Sequence, residues 1–229
     1  MITPWAFVPI LFLALGAPRA VAGSVDLPVQ IGGTYSVPAT SLREARYLSM
    51  VRQQYDFSCG SAALSTLLTY HYNMPVSEQA VFEEMYAQGE QEKIKKEGFS
   101  LLDMKRYLEK HGFDADGFEA PLDKLQSAGI PAIVLINDNG YNHFVVVKGI
   151  RDQRVLLGDP SGGSRVMSRA RFESIWVNQI LFVISSHADT ARFNVNAEWR
   201  VTAQAPLANG INRSGLGQLV IPKFSSADF

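Results

Sequence analysis

Cysteine is almost missing from this chain: Cys59 is the only one in 229 residues. That excludes an internal disulfide, a cysteine-rich zinc site and a CxxC redox pair. Histidine is scarce too, with four residues and no clustering, so no metal-ligand spacing can be written and no cofactor is expected. An excess of charge of either sign is lacking. With 21 basic against 22 acidic residues the net charge is −1, which supplies no field to draw the chain to nucleic acid or anionic lipid. A membrane-spanning run is lacking as well. The apolar stretch Trp5–Leu15 covers 11 residues with Pro9 inside it, against the roughly 20 needed to cross a bilayer.

What is present suits a folded domain. Hydrophobic content of 47% and charged content of 19% are ordinary for a globular chain. The length fits one domain of about 100–200 residues with appendages. The apolar run is broken by Gly16, Pro18 and Arg19, and Ala20-Val21-Ala22 then gives the small-x-small pattern of a signal-peptidase site. Residues 1–22 are therefore expected to be a signal peptide cleaved after Ala22, and the mature chain is expected in the periplasm. The segment before the run carries no Lys or Arg, which leaves retention as an anchor as the alternative. Residues 23–45 read as an extended arm, 46–187 as the domain, and 188–229, which has no clear period, as an extended tail that packs on the domain or holds a partner.

Within the domain, Ala63, Leu64, Leu67 and Leu68 recur at helical spacing, which predicts a helix over 59–72 ended by Asn73-Met74-Pro75. Ser77 can cap a second helix, and Ser100 with Asp103 forms a capping box for a third, stopped at Gly112. The charged stretch 88–98 reads as a solvated loop or helix end, and residues 122–128 as one more short helix. From Ile130 the pattern changes to short runs rich in β-branched residues. Residues 132–136, 144–147, 155–157 and 180–184 read as strands, with a helix over 169–176. Helices followed by an antiparallel sheet give an α+β domain.

Cys59 falls at the start of the first helix, where unpaired N–H groups and the positive end of the macrodipole favour a thiolate. A protein nucleophile also needs a base. His71 sits at the far end of the same helix, about 18 Å away at 1.5 Å per residue. His111 lies in a last helical turn, where the dipole accounts for it, and His187 follows the final strand. His143, at the entry of a buried strand, is the candidate base. If the loop between the strands on either side of Arg151 is centred on that residue, opposed positions sum to about 302 and Asp159 stands across from His143, within reach of its imidazole. Asp138 and Asp152 are the other acids nearby, both in turn-like stretches. The N–H of Cys59 offers one oxyanion donor, and Gln53 or Gln54 a second.

These residues also match a known pattern. The string from Gln53 through Cys59-Gly60-Ser61 to Leu64 resembles the nucleophile motif of the C39 cysteine peptidases, which process bacteriocin leaders on a papain-like fold. Asn142-His143-Phe144 resembles their base motif and Gly158-Asp159-Pro160 their acid motif, over a span of about Tyr47 to Ser186. The resemblance implies Cys59 as nucleophile, His143 as base, Asp159 as orienter and Gln53 as the oxyanion glutamine, with a polypeptide as substrate. Ser58 stands where many members carry an acidic residue, and the 229 residues contain no ATPase or transporter segment. In both respects the chain is similar to the stand-alone exported members of functional-amyloid (Fap-type) secretion systems. That likeness implies a role in processing or assisting the export of fibril components, with fibril subunits or secretion components as partners.

Overall fold

The computed structural model describes residues 23–29, 33–39 and 41–201, so the expected signal peptide and the end of the tail lie outside the described residues. The chain divides into two units after Ser41. In the first, β1 (Gly23–Val29) and β2 (Gly33–Ala39) pair antiparallel, whereas the last residues of the expected arm over 23–45 belong to the second unit.

The second unit begins with helices α1 (Leu42–Ala45), α2 (Cys59–Thr66), α3 (Glu78–Gln88), α4 (Gln91–Glu97) and α5 (Leu101–Lys110). Then follow β3 (Ala115–Glu119), α6 (Leu122–Ala128), β4 (Ala132–Asp138), β5 (Tyr141–Arg151), β6 (Arg154–Asp159), β7 (Gly163–Ser168), α7 (Arg169–Ile175) and β8 (Ile180–Ile184). The strands form one sheet in the order β3-β8-β4-β5-β6-β7, antiparallel at every pairing. This is the α+β class that the change of period at Ile130 predicts.

Both faces of the sheet are covered. On one, Leu64, Leu67, Met104 and Leu108 pack with Ile133, Phe144, Val146 and Phe182. On the other, α6 and α7 bring Leu122, Leu125 and Phe172 onto Val134, Val145, Val147 and Leu157. With water on neither side, alternate positions have no reason to be polar, so residues 132–136 of β4 and 144–147 of β5 read as unbroken apolar runs. The charged stretch 88–98 is not a loop but contains α4, anchored by the buried Ile94. The expected cap of α3 forms through Ser77, as does the capping box of Ser100 and Asp103. Helix α2 changes to a π-helical turn at Leu67–His71 before the chain reverses at Asn73, whose φ is 53°.

Close packing fixes the position of α2. A Cβ at Gly60 would stand 2.9 Å from Met104 Cε and 3.0 Å from Phe99 Cβ. The methionine tip can yield, but the phenylalanine Cβ moves only with its backbone. Gly60→Ala is therefore expected to destabilise the domain by about 1–3 kcal/mol, read as a shift of the denaturant midpoint at unchanged slope.

Candidate active site

Helix α2 has no side-chain cap. Ser58, at its N-cap, turns its hydroxyl to the backbone of Tyr55 instead. The N–H groups of the first turn are therefore left for other partners. The backbone N–H groups of Cys59, Gly60 and, on β5, Phe144 face the Cys59 thiol closely enough to pull its pKa down. Phe144 follows His143 on β5 and shares a core cluster with Cys59, so the thiol packs beside the strand that carries the histidine.

His143 and Asp159 are buried, each 4% exposed, and His143 Nε2 lies 3.1 Å from Asp159 Oδ2. A carboxylate only accepts hydrogen bonds, so Nε2 carries the proton and donates it, and Nδ1 holds the lone pair. Nδ1 is buried and has no hydrogen-bond partner among the described residues. It is the ring nitrogen free to take a proton.

The route by which the strands bring this pair together differs from the expected one. The β5–β6 hairpin turns at Asp152 and Gln153, both at positive φ, with Arg151 opposite Arg154, so opposed numbers sum to 305 at the turn. A bulge between Val147 and Gly149 changes the sum to 304, with Val146 opposite Gly158. Continuing that register puts Asp159 opposite Val145, two residues from His143 and on the same face. The pair is thus diagonal rather than directly opposed, within the range that larger side chains bridge.

Asp159 is held from both sides. Its Oδ1 accepts from Ser161 N at 3.0 Å, Ser161 Oγ at 2.6 Å and Gly162 N at 3.3 Å. Its Oδ2 also lies 3.1 Å from Arg165 Nη2. Burial alone would push this carboxyl up, but the hydrogen bonds from His143 and Ser161 outweigh it and hold the group well below the usual carboxylate range. Arg165 in turn reaches Asp138, which Arg171 also binds, so the competing acid Asp138 is committed to arginines. Nothing in the sequence marks Arg165 or Ser161 as partners of the acid, because their role depends on the β6–β7 turn.

The thiol departs from expectation. Cys59 is 7% exposed, and burial pushes its pKa up by more than the three N–H groups pull it down, with the charge of Asp159 adding to the rise. The position at a helix start does not acidify it in this conformation, and its proton must be taken by a base. Tyr141 stacks on His143 at 5.2 Å between centroids and donates its hydroxyl to Asp56 O at 3.1 Å, bridging from β5 to the loop before the nucleophile. Burial, then the charges of Cys59 and Asp56, push its phenol up. An open cleft of about 430 Å³ is lined by Arg46, Tyr141, His143, Asp159, Ser161 and Arg165, while Cys59 is not part of its lining.

Gln53 lies in the same loop. Its Nε2 donates to Tyr55 O at 3.1 Å, and its Oε1 is buried without a hydrogen-bond partner among the described residues. Gln54 is exposed. The remaining histidines stand elsewhere: His71 Nδ1 is 2.6 Å from Arg192 O, His111 pairs with Glu84, and His187 is exposed.

Comparison with known proteins agrees with this architecture. The model of the Peptidase C39 family matches residues 48–188. The "Probable functional amyloid protease FapD" of Pseudomonas aeruginosa is 39% identical over 175 residues, 76% of each chain. The protein of the same name from Pseudomonas fluorescens is 34% identical over 220 residues, 96% of each chain. Among solved structures, the peptidase domain of Streptococcus ComA superposes with a TM-score of 0.50 at 23% identity, over 60% of this chain and 98% of that one, a likeness of fold. With a family match over more than half its length and relatives of this identity along most of it, the chain belongs to the peptidase C39 family and is a cysteine peptidase.

Proposed function

We propose that this peptidase cleaves an exported partner polypeptide of a functional-amyloid system in the periplasm, reached through the leader Met1–Ala22. Cys59 is the nucleophile, His143 the base and Asp159 the residue that orients it. The observation that carries this reading is the bond from His143 Nε2 to Asp159 at 3.1 Å, which leaves Nδ1 without a partner among the described residues, while Cys59 at the start of α2 packs in one cluster with Phe144, the neighbour of His143. His143 takes the thiol proton as sulfur attacks the scissile carbonyl, then gives it to the departing amine. Water, deprotonated by the same nitrogen, releases the acyl group from the thioester. The Cys59 N–H and the Gln53 amide, once it turns from Tyr55, stabilise the oxyanion. The names of the Pseudomonas relatives support fibril components as the substrate class.

A second reading is a peptide-binding module without turnover. It is favoured by the covered sulfur, which burial keeps in its thiol form. Mass spectrometry of the secreted proteins separates the two when wild-type cells are compared with cells carrying Cys59→Ala. Loss of one or more cleaved products in the variant is the expected result. An identical set of products would favour the binding module.

A further inference from the structure

The chain beyond the family-matched core is bound to the element that sets the catalytic register. Strand β5 outruns β4, whose last pairing is Ala132 with Val147, so the backbone of residues 148–151 has no strand on that side. Asn194 stands there instead. Its side chain accepts from Ile150 N at 2.9 Å and donates to Ile150 O at 3.1 Å, while its own N–H donates to Lys148 O at 2.9 Å. One residue thus imitates a neighbouring strand at the bulge. A Cβ at Gly149 would overlap the Asn194 side-chain oxygen, so the fit requires glycine there.

Lys148, the bulged residue, is fully buried. Its ammonium meets Glu198 Oε1 at 3.2 Å, Ser49 O at 2.9 Å, Ser49 Oγ at 2.7 Å and Ser164 Oγ at 3.3 Å. Ser49 leads into the nucleophile loop, and Ser164 pairs with Gly158 beside the acid. Arg151 completes the attachment, donating to Asn196 Oδ1 at 2.9 Å and lying over the Trp199 ring.

The bulge decides which face Asp159 takes. Were the sum of 305 at the turn to continue along the hairpin, Asp159 would oppose Val146 and project away from His143; the shift to 304 places it with Val145 on the face of His143. We propose that residues 188–201 form a positioning strap, in which Asn194 and the Glu198–Lys148 pair fix the β5 bulge and thereby the hydrogen bond of His143 to Asp159. This rests on the reading of Cys59, His143 and Asp159 as the site.

Alkylation of Cys59 by iodoacetamide at pH 7 in the full chain tests the strap, because positioning and mere stability move the rate in opposite directions. A strap that only holds the fold together exposes the buried sulfur when weakened, and alkylation speeds up. A strap that positions His143 slows it, since the thiol loses its base. Asn194→Ala and Glu198→Gln are each expected to alkylate about 10- to 100-fold more slowly than the parent, with thermal melts confirming a folded chain. Glu198→Gln keeps the shape of the side chain and serves where Asn194→Ala fails to fold. Rates equal to or above the parent's in the folded variants overturn the strap. A His143→Ala chain that alkylates as fast as the parent sinks the site itself, and is told apart because that variant leaves the strap untouched.

Discussion

Asp159→Asn is expected to lower turnover by about 10⁴-fold while the chain stays folded, a smaller loss than removing Cys59 or His143 outright. The reason lies in the two sides of the carboxylate. Oδ1 accepts from three donors on Ser161 and Gly162, so an asparagine must put its oxygen there and its NH2 towards His143. His143 Nε2 then has to accept, the ring proton moves to Nδ1, and the lone pair that takes the thiol proton is gone. Arg165 Nη2, 3.1 Å from Oδ2, would also face a donor. Single-turnover cleavage of the substrate identified with Cys59→Ala, alongside circular dichroism, measures this; a folded variant that loses less than tenfold would sink the tautomer argument. The carboxyl is held below its unfolded value, so the stability it contributes is complete above about pH 4 and lost as the pH falls through the depressed folded value. Asp159→Asn should flatten the acid limb of the parent's stability profile.

What the sequence made legible follows from where apolar residues are needed. The central strands β4, β5, β6 and β8 and the helices α2, α3 and α5 carry runs or stripes of apolar residues because both faces of the sheet are covered. The two edge strands lack that signature. In β3 only Ala115 is buried, and β7 reads Gly-Ser-Arg-Val-Met-Ser, so neither period nor propensity marks them. Candidates for the site could be singled out one by one, since a lone thiol at a helix start and a histidine at the entry of a buried strand are uncommon. Their register was not. The hairpin turns at Asp152-Gln153 without the glycine that usually marks such a turn, and a bulge at Lys148 leaves no local sequence signal. The expected sum of 302 and the observed 304 differ by two, which preserves the face, so the pairing of His143 with Asp159 came out of an incorrect register. The raised pKa of the thiol was not legible for another reason: helix position is readable along the chain, whereas burial of the sulfur depends on tertiary packing. The tail shows the same limit. Its portion up to Val201 packs onto the domain through Asn194 and Trp199, contacts between residues far apart in sequence.

The β6–β7 turn holds the acid and contains a backbone position that only glycine suits. Gly163 pairs with Asp159 and has a φ of 80°, in the left-handed region. A Cβ there would stand 2.7 Å from Arg46 Cβ and 3.1 Å from Arg46 O. Neither can yield easily, since Arg46 O also accepts from Ser164 N at 2.7 Å. Gly163→Ala therefore combines backbone strain with a clash against main chain, an expected loss of about 2–5 kcal/mol. Relief of the clash would shift the turn and draw Ser161 and Gly162 off Asp159, so cleavage by the folded fraction should fall as well. Gly140 supplies the control: its φ is 86°, but a Cβ there would meet nothing within 4 Å. Gly140→Ala should show the strain alone, about 1 kcal/mol. Urea unfolding of both variants decides the matter, and equal losses at the two positions would mean that the contact with Arg46 does not anchor the turn.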